Sequence, residues 1–340
     1  MKRGLIIYLF AMVAILIVSC TNEQKKAQQE AYVKDSTDAV ALLNKAHSMF
    51  GSIADKMPGS ENDTPELIAL GKKLFNDVSM SENNSESCNT CHMLEAGKYG
   101  VDNKPTSPGA KGANGTRNSP TVLDAGFQFA QFWDGRAADL KEQAKGPVLN
   151  PIEMGMPDEK FVVNKIGSIP EYKDLFATAY PGQPDPISYD NIANAIAAFE
   201  RTLITHNRFD DFVKGNWKSL DVNERKGLDT FINTGCIACH LTPLLGGHIY
   251  QKMGLVNPYE NTKDLGRFEV TKNEQDKYLF KVPTLRNIAE TYPYFHDGAV
   301  ASLDTAIEKM AWLQLGKKIS PEETTSIKAF FLALTDSSRK

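Results

Sequence analysis

"SCNTCHMLEAG", residues 87–97, holds two cysteines three positions apart with a histidine directly after the second, and "GCIACHLTPLLGG", residues 235–247, repeats the arrangement. In Cys-x-x-Cys-His the thiols add to the vinyl groups of a haem and the histidine gives its iron a proximal nitrogen. Cys-x-x-Cys alone also occurs in zinc sites and redox dithiols. Two copies, each with the immediate histidine and each behind a similar helix, point instead to two covalent haem c groups. Cys88, Cys91 and His92 would hold one, and Cys236, Cys239 and His240 the other.

The fifth cysteine, Cys20, has its own explanation. Lys2 and Arg3 precede an apolar run from Leu5 to Val18, then "IVSC", then the polar "TNEQKKAQQE". This order reads as a bacterial export signal ending at a lipidated cysteine. As an uncleaved membrane anchor the apolar run is short. Either way the folded part is exported and tethered to a membrane. Residues 1–20 are assigned to the lipoprotein signal and 21–60 to a tether, partly helical. No cysteine is left for a disulfide, so haem accounts for thiols that an exported protein would otherwise spend on cross-links.

The 340 residues carry a net charge of −4, which goes to −6 when Lys2 and Arg3 leave with the signal. Without a basic cluster, that balance argues against a nucleic-acid partner.

The similarity between the halves extends beyond the haem motifs. "TPELIALGKKLF" precedes the first, with Thr64 as a cap, Pro65 at the first helical position and Leu67, Leu70 and Leu74 on one face. "DVNERKGLDTF" precedes the second, with Asp221 and Glu224 spaced as a capping box. Gly71/Phe75 and Gly227/Phe231 lie four apart on these helices, and a glycine there lets another helix cross closely, as in the cytochromes c that both halves resemble. Downstream, "SPTVLDAGFQFAQFWDGRA" parallels "VPTLRNIAETYPYFHDGAV", which sets Trp133 where the second half has His296. "SYDNIANAIAAFERTLI" and "SPEETTSIKAFFLAL" complete the helices, while strand-like runs are scarce. The expected fold is all-α: two cytochrome c-like haem domains related by internal duplication, with long loops, over 61–210 and 211–340.

The sixth iron position decides function. A strong protein ligand there makes an electron carrier, and an open one makes a place for a small molecule. After His240 the candidates are Met253, Met310, His248 and His296; a thioether raises the potential and suits electron transfer. Between His92 and His206 no histidine occurs. Met154, Met156 and His47 are the other groups that could approach the first iron. The simplest reading leaves that face open.

With "RNSPTVLDAG", "QFWDGRAADLKEQAKGPVLNPIEMG", "VPTLRNIAETYPYFHDGAV" and "MAWLQLGKKIS" in view, residues 60–335 resemble the bacterial dihaem cytochrome c peroxidases. The resemblance implies reduction of hydrogen peroxide in the periplasm with electrons from a small cytochrome c or a cupredoxin. It makes 61–210 the peroxidatic domain and 211–340 the electron-transfer domain, with Met310 as the second iron's other ligand. It assigns Trp133 as a relay between the haems, Glu153 as the acid/base and Gln143 as its polar neighbour. Asn118, Thr291 and Pro293 match ligands of a calcium ion at the domain interface, supplied largely by neutral oxygens. A homodimer is also implied.

Glu153 has a physical reason of its own: heterolysis of a peroxide O–O bond needs a group to carry a proton between its oxygens. One departure stands out. Many members of the family place a histidine in the loop after the first haem motif, released upon reduction; the loop here reads "TSPGAKGANGTRN", with Ala110 at that position. Alanine cannot ligate, so no reductive release of a histidine is expected. Two other readings compete. A related dihaem oxidase that modifies a partner protein typically has tyrosine where Met310 stands. A plain dihaem electron carrier would need both irons capped.

Overall fold

A computed structural model describes the backbone from residue 2 and the side chains from residue 23. The side chains of the export segment, and with them the lipidation expected at Cys20, lie outside the described residues. Among the described residues, twelve helices follow one another: α1 (Lys2–Phe50), α2 (Pro65–Asn76), α3 (Cys88–Cys91), α4 (Leu140–Leu149), α5 (Glu159–Gly167), α6 (Pro170–Ala179), α7 (Tyr189–Glu200), α8 (Arg208–Val213), α9 (Val222–Thr234), α10 (Phe268–Thr271), α11 (Leu303–Leu315) and α12 (Pro321–Ala333). The mostly helical expectation holds, with one addition. β1 (Tyr250–Lys252) and β2 (Leu279–Lys281) form an antiparallel ribbon that pairs Tyr250 with Lys281.

The helix signals act as the residues dictate. Thr64 accepts from the Leu67 N–H at 3.2 Å, and Pro65 opens α2. Asp221 and Glu224 close a reciprocal box on α9, and Ser320 and Glu323 do so on α12. Each half is built on one glycine-mediated crossing. A Cβ on Gly71 of α2 would stand 1.8 Å from the Ala195 carbonyl oxygen of α7, and one on Gly227 of α9 would stand 1.9 Å from that of Ser326 in α12. Phe199 and Phe330 fill the adjacent positions in the two crossings.

The downstream repeats also share their backbone. Asp124 and Asn287 take left-handed φ of 59° and 60°, and Phe132 and Phe295 take 67° and 73°. Single bridges, Gln131 with Ala137 and Tyr294 with Val300, close both turns. These parallels are what an internal duplication predicts.

Two large apolar cores result, with a small third cluster of Ala125, Leu140 and Ala197. Leu70, Leu74, Phe75, Val162, Tyr172, Phe176 and Ile196 belong to the first, and Phe209, Phe212, Leu228, Phe231, Ile307 and Phe330 to the second. The expected boundaries shift in two places. The tether assigned to 21–60 is not free along its length: Leu43, Ala46 and Phe50 of α1 are part of the second core, with Phe50 edge-on to Phe209 at 5.5 Å. Met57 is buried beside Gly126 of the first half. The break placed after residue 210 falls inside α8, whose Phe209, Phe212 and Val213 all pack in the second core.

A fully buried guanidinium ties the halves together. Arg286 donates to both carboxylate oxygens of Asp210, at 2.9 and 2.7 Å, and to Asp124 at 3.2 Å. Among the described residues, no helix is long and apolar enough to cross a membrane.

Candidate active site

Each haem motif lines a cavity walled mostly by its own half. Cys88, Cys91 and His92 share the first with Gln143, Glu153, Met154, Ile196 and Glu200. Cys236, Cys239 and His240 share the second with Met253, Met310, Gln314, Lys281 and a mostly apolar wall. None of the four cysteines is disulfide-bonded. Burial pushes the thiols of Cys91 and Cys236 up to about 11 and about 12, and that of Cys88 further.

The histidines are preset as ligands. His240 Nδ1 lies 2.7 Å from the Leu245 carbonyl oxygen, and His92 Nδ1 lies 3.3 Å from that of Gly100. A carbonyl only accepts, so Nδ1 carries the proton and Nε2 keeps its lone pair for a metal. Burial reinforces the neutral form, lowering the pKa of His92 and taking that of His240 to about 4. Two reduced thiols, a neutral histidine of fixed tautomer and a surrounding cavity fit a c-type haem in each half.

The walls differ. In the first cavity Gln143 projects from α4, and Glu153 follows in the turn after it, where Asn150 Nδ2 donates to Glu153 Oε1 at 2.7 Å. Burial raises the Glu153 pKa above its ordinary 4.5, outweighing the opposing effects of Asn150 and the Arg136 cation. The loop carrying Ala110 lies flush on this turn: the Ala110 N–H donates to the Glu153 carbonyl at 2.7 Å, and a Cβ on Gly109 would fall 1.8 Å from the Ile152 oxygen. Ser107, Pro108 and Gly109 line the cavity, whereas Ala110 does not. Met154 also lines it. Met156 packs in the first core, and His47 is held 2.9 Å from the Val213 carbonyl in the other half.

In the second cavity, Ile307, Met310 and Gln314 form one stripe of α11 facing inward. Met253 shares the wall, its sulfur 3.9 Å from Gln314 Nε2. His296 lines the same cavity and stacks on Phe280 at 4.1 Å, and its Nε2 has no partner among the described residues.

Trp133 lies between the two. It lines the second cavity and also the larger space that contains His92, Gln143 and Glu153. Its Nε1–H donates to the Asn118 carbonyl at 2.8 Å, and its own carbonyl accepts from Lys281 N–H at 2.7 Å. Asn118, Thr291 and Pro293 converge on one small cavity at this interface, which Lys281 also lines. Asn118 Nδ2 is committed to the Lys104 carbonyl at 2.9 Å, which leaves the amide oxygen.

Two buried ionisable side chains in the cavities, Glu200 and Lys281, stand out in the structure and not in the sequence. Glu200 is 4% exposed, and burial lifts its pKa to about 8. It lies four residues after Ile196 on the apolar face of α7, and that spacing was the available signal. Lys281 sits between Phe280 and Val282 at the end of β2, where a short polar interruption says nothing of burial.

The chain belongs to the di-haem cytochrome c peroxidase family, whose sequence profile matches residues 65–218. It is an oxidoreductase of the cytochrome-c peroxidase class, and its family carries two haem c groups. It is 45% identical over 304 residues to the cytochrome c551 peroxidase of Pseudomonas aeruginosa, covering 87% of each chain. It is also 45% identical over 277 residues to the cytochrome c551 peroxidase of Nitrosomonas europaea, covering 80% of this chain and 81% of that one. Among solved structures, a MauG-like protein associated with microbial copper homeostasis aligns with a TM-score of 0.75 at 27% identity, over 85% of this chain and 95% of that one.

Proposed function

We propose that the chain is an exported peroxidase that reduces hydrogen peroxide at the His92 cavity, using electrons that a small cytochrome c or cupredoxin delivers at the His240 cavity. Two electrons and two protons convert one H2O2 into two waters. The unequal walls carry this reading: the carboxyls of Glu153 and Glu200 line the His92 cavity, whereas no carboxyl among the described residues lines the His240 cavity.

His92 and His240 would each hold an iron through Nε2, with the thioether of Met310 as the second iron's other ligand. The haems, when bound, supply the electron transfer. Glu153 Oε takes a proton from the incoming peroxide and returns it to the departing oxygen, which leaves as water. The bond from Asn150 fixes the carboxyl, and burial keeps its proton affinity high enough to complete the shuttle. Gln143 orients the peroxide by hydrogen bonding. Trp133, which lines the His240 cavity and the larger space that contains His92, Gln143 and Glu153, is the relay between the two sites.

Calcium at the interface is part of the proposal, supported by the convergence of Asn118, Thr291 and Pro293 on one small cavity. The export signal read at residues 1–20 supports a periplasmic location with a lipid on Cys20. The homodimer rests on the family resemblance. Met310, where the protein-modifying oxidases typically have tyrosine, favours a peroxidase over that activity.

Because Ala110 cannot ligate, the fully oxidised holoprotein is expected to bind cyanide or peroxide at its first haem without pre-reduction. Rapid-mixing absorption spectroscopy checks this. A six-coordinate, bis-nitrogen first haem, or one that binds only after the second haem is reduced, overturns it. A first haem that refuses cyanide because Met154 caps it would restore the electron-carrier reading.

A further inference from the structure

Three cationic side chains are buried among the described residues: Arg225, Lys281 and Arg286. Arg225 pairs with Asp35, and Arg286 with Asp124 and Asp210. Among the described residues, Lys281 is 6% exposed and has no carboxylate partner; its ammonium reaches only the amide oxygen of Gln128. Burying a charge without a counter-charge is costly, and protein interiors rarely tolerate it. Burial alone lowers the Lys281 pKa to about 8.

The position of this cation suggests its partner. Lys281 is the only Asp, Glu, Lys or Arg among the described residues lining the His240 cavity. It is anchored beside Trp133, whose carbonyl accepts from the Lys281 N–H at 2.7 Å. A haem brings two carboxylates of its own into an otherwise mostly apolar space, and a desolvated ammonium is the chemistry that receives one. We infer that Lys281, steadied by Gln128, is the cationic anchor for a propionate carboxylate of the second haem, on the side of that cavity facing Trp133. The inference rests on the proposed haem at His240, and not on peroxide turnover. Loss of the anchor leaves a buried negative charge beside the haem, which disfavours the reduced state, so the potential falls.

The test is a spectroelectrochemical titration of the holoprotein, after haem quantification has shown two haems per chain. Lys281→Gln is expected to shift the reduction equilibrium of the second haem at least tenfold toward the oxidised form, about 59 mV for one electron. Lys281→Arg, which keeps the charge, is expected to stay within about threefold of the wild type. Should Lys281→Gln fail to retain haem, Gln128→Glu serves in its place: an internal carboxylate competes for the ammonium and lowers the same potential. An unchanged second-haem potential in a loaded variant overturns the inference. So does a shift confined to the first haem, or a wild-type potential that follows chloride or phosphate concentration, which would assign the ammonium to a solvent anion. Because no peroxide is used, failure of the peroxidase reading leaves this result interpretable.

Discussion

Glu153→Gln is expected to lower peroxide turnover at least ~10²-fold, the usual contribution of a positioned acid/base group. The substitution keeps the shape of the side chain and an oxygen for the Asn150 donor, so haem content and the resting spectrum should not change. The pH profile adds a second signature. The carboxylate form accepts the first proton, so kcat/KM rises with pH through the pKa of Glu153 and falls as acid protonates it. Burial has moved that pKa above 4.5, and the acid limb is expected above the ordinary carboxylate range. The glutamine variant should lose this limb as well as the rate. An unchanged rate would remove Glu153 from the chemistry. A lower rate with the limb intact would make it a positioning residue.

Arg286→Met is expected to destabilise the fold by ~3–5 kcal/mol, because it strands Asp124 and Asp210 in the interior without their shared cation. Chemical denaturation of the holoprotein measures the loss. Asp124 already has a raised pKa from burial, although Arg286 opposes the shift. Without the guanidinium the folded-state pKa rises further. A carboxyl whose folded pKa exceeds its unfolded one costs stability above the folded pKa, and the cost disappears below the unfolded pKa. The deficit should therefore shrink as pH falls toward the ordinary aspartate range. A loss under about 1 kcal/mol, or a deficit that grows in acid, contradicts the role given to the cluster.

Much of the fold was legible in the sequence because local signals agreed with tertiary ones. Thr64, Pro65 and the Asp221/Glu224 pair announced the helices before each haem, and Gly71 and Gly227 announced the crossings that α2 and α9 make. The docked end of α1 was missed although its signal was present. Ala39, Leu43, Ala46 and Phe50 fall at helical spacing and are all buried, yet the polar run before them suggested a leash. The site was legible where chemistry demands adjacency, as in Cys-x-x-Cys-His. It was not where function depends on the course of an irregular loop. The carbonyls that set the histidine tautomers come from Gly100 and Leu245, in loops whose course no local pattern fixes. Lys281 and Glu200 escaped for the opposite reason, since burying an ionisable side chain without an opposite charge violates the rule by which residues are read as exposed.

In the proposed reaction, electrons received at the Met310 cavity are spent on peroxide at the Glu153 cavity. Steady-state consumption of hydrogen peroxide by the purified holoprotein, with a reduced small cytochrome c or cupredoxin as donor, tests it directly. The prediction is sustained turnover with two donor molecules oxidised per peroxide. Absence of turnover with every such donor, from protein shown to hold both haems, would contradict it.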